Sequence, residues 1–241
     1  MKQALWAILA IVFIGFIPFL EAKEMLENAL TPKQQSIITI SAFTANGDLE
    51  KLKSALIQGL DAGLSVNEIK EILVHLYAYT GFPRSLNGIN TFMTVINERQ
   101  AKGIKDTMGK EATALPSNFN KDEYGARVRA ELLGQKEIPS PSSYQLFAPT
   151  IDTFLKEHLF ADIFARDILD YQTRELVTIS ALASMMGTAP QLQAHLGIAL
   201  NMGLAKEQLE AFTAVLKKEV GDQEAQSAHD VLTIVLKNRK L

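Results

Sequence analysis

The chain has 241 residues, of which 47% are apolar and 21% charged, enough to bury a real core in one or two domains. Its net charge of −3 comes with scattered Lys and Arg, so no basic stripe is available to neutralise phosphates and nucleic acid is excluded as an expected partner. Cysteine is absent, which removes thiol chemistry, disulfides and Cys-based zinc sites, and the four histidines (His75, His158, His195, His229) show no metal-ligand spacing.

In chain order, Lys2 precedes the apolar run 4–20, and small Ala22 follows before Lys23 and Glu24. Residues 1–22 read as a cleaved export signal, with a retained N-terminal membrane anchor as the alternative; the run is short for a span and contains Gly15 and Pro18. The expected location is periplasmic or secreted. A first helical domain is expected over 23–100. Thr31 and Pro32 open its first helix, and a second follows Gly47-Asp48 and ends at Gly63. Ser65 and Glu68 form a capping box for the third, which stops at Gly81, and Pro83 starts a fourth. Between 101 and 145 the periodicity fades into a linker with Pro116, Pro139 and Pro141 and one short helix from Lys121 to Leu133. Helical periodicity resumes from Ile151 to Ile168 in a second domain, 146–241. No segment alternates like a strand, so the fold is expected to be all-α.

Two stretches are versions of one module. TISAFTANGDLEKLKSALIQGLDAG (39–63) and TISALASMMGTAPQLQAHLGIALNMG (178–203) differ by one inserted residue before the shared Gly47/Gly187, after which the offset stays at 140. The polar residues suited to chemistry are divided between the copies. Glu175 and His195 of the second stand where the first has Ser36 and Ala55, whereas His75, Tyr79 and Pro83 of the first stand where the second has Val215, Glu219 and Gln223.

Histidine is the side chain suited to proton transfer near neutral pH, and Glu175 could orient the His195 imidazole. The plain alternatives are a packed or surface histidine and a first-turn glutamate favoured by the helix dipole. His75 and Tyr79, four apart, share a helix face and could reach one pocket, or could be polar tips at the margin of an amphipathic helix. Arg84 could clamp a substrate carboxylate or cap solvent at a helix start. Arg129 is a further substrate-binding candidate, or else an ion-pair residue between modules.

The segment YTGFPRSLNG (79–88) after EILVHL resembles the carboxymuconolactone decarboxylase family. The second module supplies the rest of that pattern in TRELVTISALA (173–183) and QLQAHLGIALNMG (191–203), and GARVRAELLG (125–134) is similar to its linker signature. The resemblance implies a tandem of two such helical domains. It also implies a homo-oligomer, a trimer with a pseudo-sixfold ring. The related alkylhydroperoxidase D-type branch carries C-x-x-C-x-x-x-H, but Thr188 and Gln191 stand at the cysteine positions, so its thiol chemistry does not carry over.

The implied function is acid/base lyase or isomerase chemistry on a small carboxylated, enolisable substrate, with His195 and Glu175 catalytic and His75, Tyr79, Arg84 and Arg129 binding substrate. No cofactor and no metal are expected. The alternative is a non-catalytic ligand-binding or scaffold protein that keeps the fold after loss of the thiol centre.

Overall fold

The structure is a computed structural model and describes residues 29–116 and 118–241. The apolar run 4–20 and the export reading attached to it lie outside the described residues. Among the described residues there are helices and no strand, so the fold is all-α.

Helix α1 (Pro32–Asn46) starts at Thr31, whose hydroxyl accepts from the Gln34 amide while the Gln34 side chain reaches back to the Thr31 amide. It ends at Gly47, whose φ of 84° suits a residue without Cβ. Helix α2 (Leu49–Asp61) is capped by Asp48. Helix α3 (Val66–Ala101) carries the expected Ser65/Glu68 capping box. The expected third and fourth helices are its two arms, joined at Gly81 (φ 76°, ψ 163°). Pro83 lies just past that break, where its missing amide costs no helical hydrogen bond.

The connecting region holds α4 (Lys121–Leu132), α5 (Tyr144–Phe147), α6 (Pro149–Thr153) and α7 (Phe154–Ile163), the last wound with π-type hydrogen bonding. The second copy then runs through α8 (Tyr171–Ala183), α9 (Ala189–Asn201), α10 (Lys206–Val215), the single π-type turn α11 (Leu216–Val220) and α12 (Asp222–Arg239). Thus α8 repeats α1, α9 repeats α2, and α10 to α12 repeat the two arms of α3. Thr188 heads α9 without capping it; its hydroxyl donates back to the Leu182 and Met185 carbonyls.

Helices α1 and α8 are buried on every side, from Ser36 to Ala45 and from Arg174 to Ala183 without a break. A helix with no solvent face cannot be amphipathic, which is why its sequence pattern is uniform rather than striped. The two pack against each other at the centre of the molecule. One apolar cluster runs through both copies, from Ile38, Leu52 and Leu73 to Leu176, Leu196 and Phe212. Several hydroxyls on these helices are satisfied locally, as in Thr44 to the Ile40 carbonyl (2.7 Å) and Ser180 to the Leu176 carbonyl (2.6 Å), whereas Ser41 Oγ on α1 has no partner.

A second, smaller cluster joins α4 and α7 through Val128, Leu132, Leu159, Phe160 and Ile163, with Ile198 of α9. The 101–145 region is therefore partly a packed layer rather than only a linker. Gly125 lets α4 and α7 touch, because a Cβ there would collide with the backbone carbonyl of Lys156. Backbone cannot yield as a flexible side chain can. Gly125→Ala is expected to destabilise the fold by about 1–3 kcal/mol, the usual cost of overpacking, read as a lower urea midpoint; an unchanged midpoint would show that α4 and α7 do not need this approach.

Candidate functional site

Four of the residues singled out by the repeat comparison meet within one chain. Helix α8 carries Glu175 in its second turn, with the side chain fully buried; the first-turn, dipole-favoured glutamate is not what the fold contains, because α8 starts at Tyr171. Helix α9 crosses beside it and sets His195 Nδ1 2.8 Å from Glu175 Oε2. The His195 side chain keeps 14% of its surface exposed, so this is neither a sealed core histidine nor a free surface one. With Nδ1 turned to the carboxylate, Nε2 is the nitrogen left for a ligand.

The first arm of α3 reaches this pair from the other copy. Tyr79 meets His195 edge to face at 5.6 Å between ring centroids, and His75 lies one turn earlier, 5.2 Å from the Tyr79 ring. His75 is wholly buried and both of its nitrogens are taken. Arg174 can only donate, so its Nη1 at 3.2 Å makes His75 Nδ1 an acceptor. Nε2 then carries the proton and donates to Thr178 Oγ1 at 2.9 Å, while that hydroxyl donates to the Arg174 carbonyl. A substrate-binding role for His75 finds no free nitrogen in this arrangement; the ring is a support beneath Tyr79. Burial first, then the Arg174 guanidinium, then His195, hold His75 well below the ordinary histidine range.

Tyr79 differs. Its hydroxyl is buried and makes no hydrogen bond of good geometry; burial first and then the nearby Glu175 carboxylate push its pKa upward against the smaller opposing pull of the neighbouring Thr178 hydroxyl, so it stays a donor. Glu175 Oε1 is likewise buried and unpartnered. Among the described residues the buried side-chain atoms without partners are Ser41 Oγ, Tyr79 Oη, Arg174 Nε and Glu175 Oε1, and all but the first belong to this cluster. Buried polar atoms are usually paired, so this concentration marks where a ligand or water would make up the deficit.

Tyr79 also lines a cavity of about 880 Å³ between the α3 bend, the α8–α9 turn and the start of α12. Leu182, Met185 and Leu192 supply apolar wall, and Arg84 stands exposed at the same cavity, in no ion pair among the described residues. Thr188 lines it too.

Arg129 does not. Its buried guanidinium is paired with Asp152, which also accepts from Gln145, and this ties α4 to α6 in the connecting layer. It is an ion pair within the connecting layer, neither the expected substrate contact nor a bridge between the two modules.

Sequence reasoning passed over Glu71, Arg166, Arg174 and Thr178. Arg174 Nη2 lies 2.8 Å from Glu71 Oε1, and Arg166 Nε 2.9 Å from Glu71 Oε2, with Arg174 and Glu71 essentially without solvent exposure. The available signal was spacing: Glu71, His75 and Tyr79 are successive fours on one helix face, and Arg174 adjoins Glu175.

Comparison with known proteins agrees with the pattern. The sequence model described as the carboxymuconolactone decarboxylase family matches residues 18–91 and 149–233. A 4-carboxymuconolactone decarboxylase of Acinetobacter baylyi (strain ATCC 33305 / BD413 / ADP1) is 31% identical over 86 residues, which is 35% of this chain. The aligned stretch covers 63% of that protein's length, a little under two thirds.

The depressed His75 pKa has a stability consequence. Unfolded, the ring titrates near 6.5, so below that pH the unfolded chain binds a proton that the native chain refuses. The contribution of neutral His75 is present above 6.5 and lost as pH falls toward the native pKa, at about 1.4 kcal/mol per pH unit for one proton. His75→Gln is expected to remove that part of the slope, as measured by urea unfolding at pH values on both sides of 6.5; identical slopes in the two proteins would contradict it.

Proposed function

The chain belongs to the carboxymuconolactone decarboxylase family, and we propose that it performs proton-transfer lyase or isomerase chemistry on a small carboxylated, enolisable molecule. The observation that carries the reading is the His195–Glu175 pair, with the unengaged Tyr79 hydroxyl beside it and Arg84 at the adjoining cavity.

In a decarboxylation of this type the C–C bond to the carboxylate breaks and CO2 leaves. The electron pair moves into the substrate's conjugated carbonyl, and a proton is then delivered to the enolate carbon. His195 would supply that proton from Nε2, while Glu175 at Nδ1 holds the orientation of the ring. Tyr79 would donate to the oxygen where charge develops, and its raised pKa keeps the proton on the phenol. Arg84 would hold a second carboxylate of the substrate at the mouth of the cavity, where a guanidinium can bind it through two hydrogen bonds. The apolar side of the cavity favours loss of charge from the departing carboxylate.

His195→Ala is expected to lower turnover by about 10²–10⁴-fold, the usual contribution of a general acid, and Tyr79→Phe by about 10²-fold, that of one oxyanion donor. The double variant should fall short of the product, since both groups act on one bound molecule. CO2 release from 4-carboxymuconolactone and from β-keto acids is the measurement. Binding of such acids without turnover would favour the non-catalytic binding reading.

The charge pattern of residues 1–24 supports export with cleavage before Lys23, and the exposure of Leu146, Phe147 and Phe154 supports self-association, for which the family resemblance suggests a trimer. Native mass spectrometry of protein recovered from its host should show three copies, each lacking about 22 residues; a full-length, membrane-bound monomer would contradict both.

A further inference from the structure

The repeat provides an internal control for the buried ion pair. In one half of the molecule the first arm of α3 lies against α8; in the other, α10 and α11 lie against α1. Glu71, His75 and Tyr79 correspond to Ala211, Val215 and Glu219, and Arg174, Glu175 and His195 correspond to Gln35, Ser36 and Ala55. Only Thr178 is matched in kind, by Thr39. The same helix pair is therefore built once with five ionisable or phenolic groups, with His195 of α9 beside them, and once with almost none.

That comparison separates fold from function. Ala211, at the position of Glu71, is buried and needs no partner. A charged pair in a sealed site is at best a break-even choice for stability against apolar side chains of similar volume. The fold is made without it in the other half, and the pair occurs only where the His195–Glu175 dyad and Tyr79 occur.

The contacts show what the pair does there. Arg174 uses Nη2 for Glu71 Oε1 and for the Arg166 carbonyl (2.6 Å), and Nη1 for His75 Nδ1. Arg166 Nε donates to both Glu71 oxygens, at 2.9 Å to Oε2 and 3.2 Å to Oε1, and the Phe164 ring lies 5.5 Å from the Arg174 guanidinium and 5.4 Å from the His75 ring. A planar guanidinium held at this many points has one orientation, and it presents an N–H to Nδ1. His75 is left with one tautomer and one ring plane, against which Tyr79 rests.

We propose that Arg174 and Glu71 are positioning residues of the candidate site: their ion pair, formed between the two repeat copies, locks His75 as the Nε2–H tautomer and so fixes the Tyr79 ring against His195. The proposal rests on this cluster being the functional site, but its test uses no substrate, so failure of the decarboxylation reading and failure of this one are separate results.

The experiment is NMR on the full chain labelled with ¹⁵N-histidine, at neutral pH. The wild type is expected to show His75 as a single Nε2–H tautomer and a cross-relaxation peak between the Tyr79 and His195 rings. The variant Glu71→Ala with Arg174→Gln, which installs the residues of the other half, is expected to remain folded while His75 averages between tautomers and the Tyr79–His195 peak is lost. Arg174→Lys should not restore either signal, because one ammonium cannot reach Glu71, the Arg166 carbonyl and His75 together. A wild-type His75 protonated on Nδ1 would overturn the proposal, as would a double variant that keeps both signals. A double variant that fails to fold would overturn it too, since the pair would then serve the fold rather than the site.

Discussion

Contact between α1 and α8 is the constraint on which the rest depends. Each is the central helix of one repeat copy, each is buried on all sides, and each can be so only because the other covers it. A single copy would expose one flank of such a helix to water, at a hydrophobic cost proportional to the uncovered area. The two copies therefore share one core instead of holding two. Their pairing also brings the first arm of α3 against α8, and that is the contact in which the site is formed.

The site is accordingly composite within one chain. A carboxylate and an imidazole come from the second copy, a phenol and its supporting imidazole from the first, and an Arg–Glu pair crosses the boundary between them. Such a boundary is a good place for chemistry. It excludes water well enough to strengthen electrostatic interactions, yet it lies beside the cavity that the α3 bend and the α8–α9 turn leave open. The bend depends on Gly81, whose positive φ lets the chain turn just after Tyr79 and set Arg84 at the same cavity.

The half without these groups keeps the same fold. Ala55, Ser36 and Val215 occupy the positions of His195, Glu175 and His75, and the helices there still pack. The apolar residues that build the repeat and the polar residues that make the site are different sets.

The sequence by itself determined the helical class, the capped starts of the first copy and the repeat. Caps and left-handed glycines are local: Thr31 with Gln34, Ser65 with Glu68, and Gly47 and Gly187 at φ 84° and 81° are settled within a few residues. It also pointed to His195, Glu175, His75 and Tyr79, because comparing two copies of one module exposes any position that departs from apolar filling. Tertiary structure alone decided what those groups do. His75 and Arg174 are 99 residues apart, and Arg129 and Asp152 23 apart, so no spacing rule could show that one histidine is saturated by an arginine or that the other arginine is engaged elsewhere. Helix α8 carries no amphipathic stripe from which a partner could be inferred, and the depth of Glu175 follows only from the burial of the whole helix. Periodicity reports which face a helix hides; it cannot report which charged group waits on the other side of the contact, because that is fixed by the docking of distant elements rather than by any local propensity.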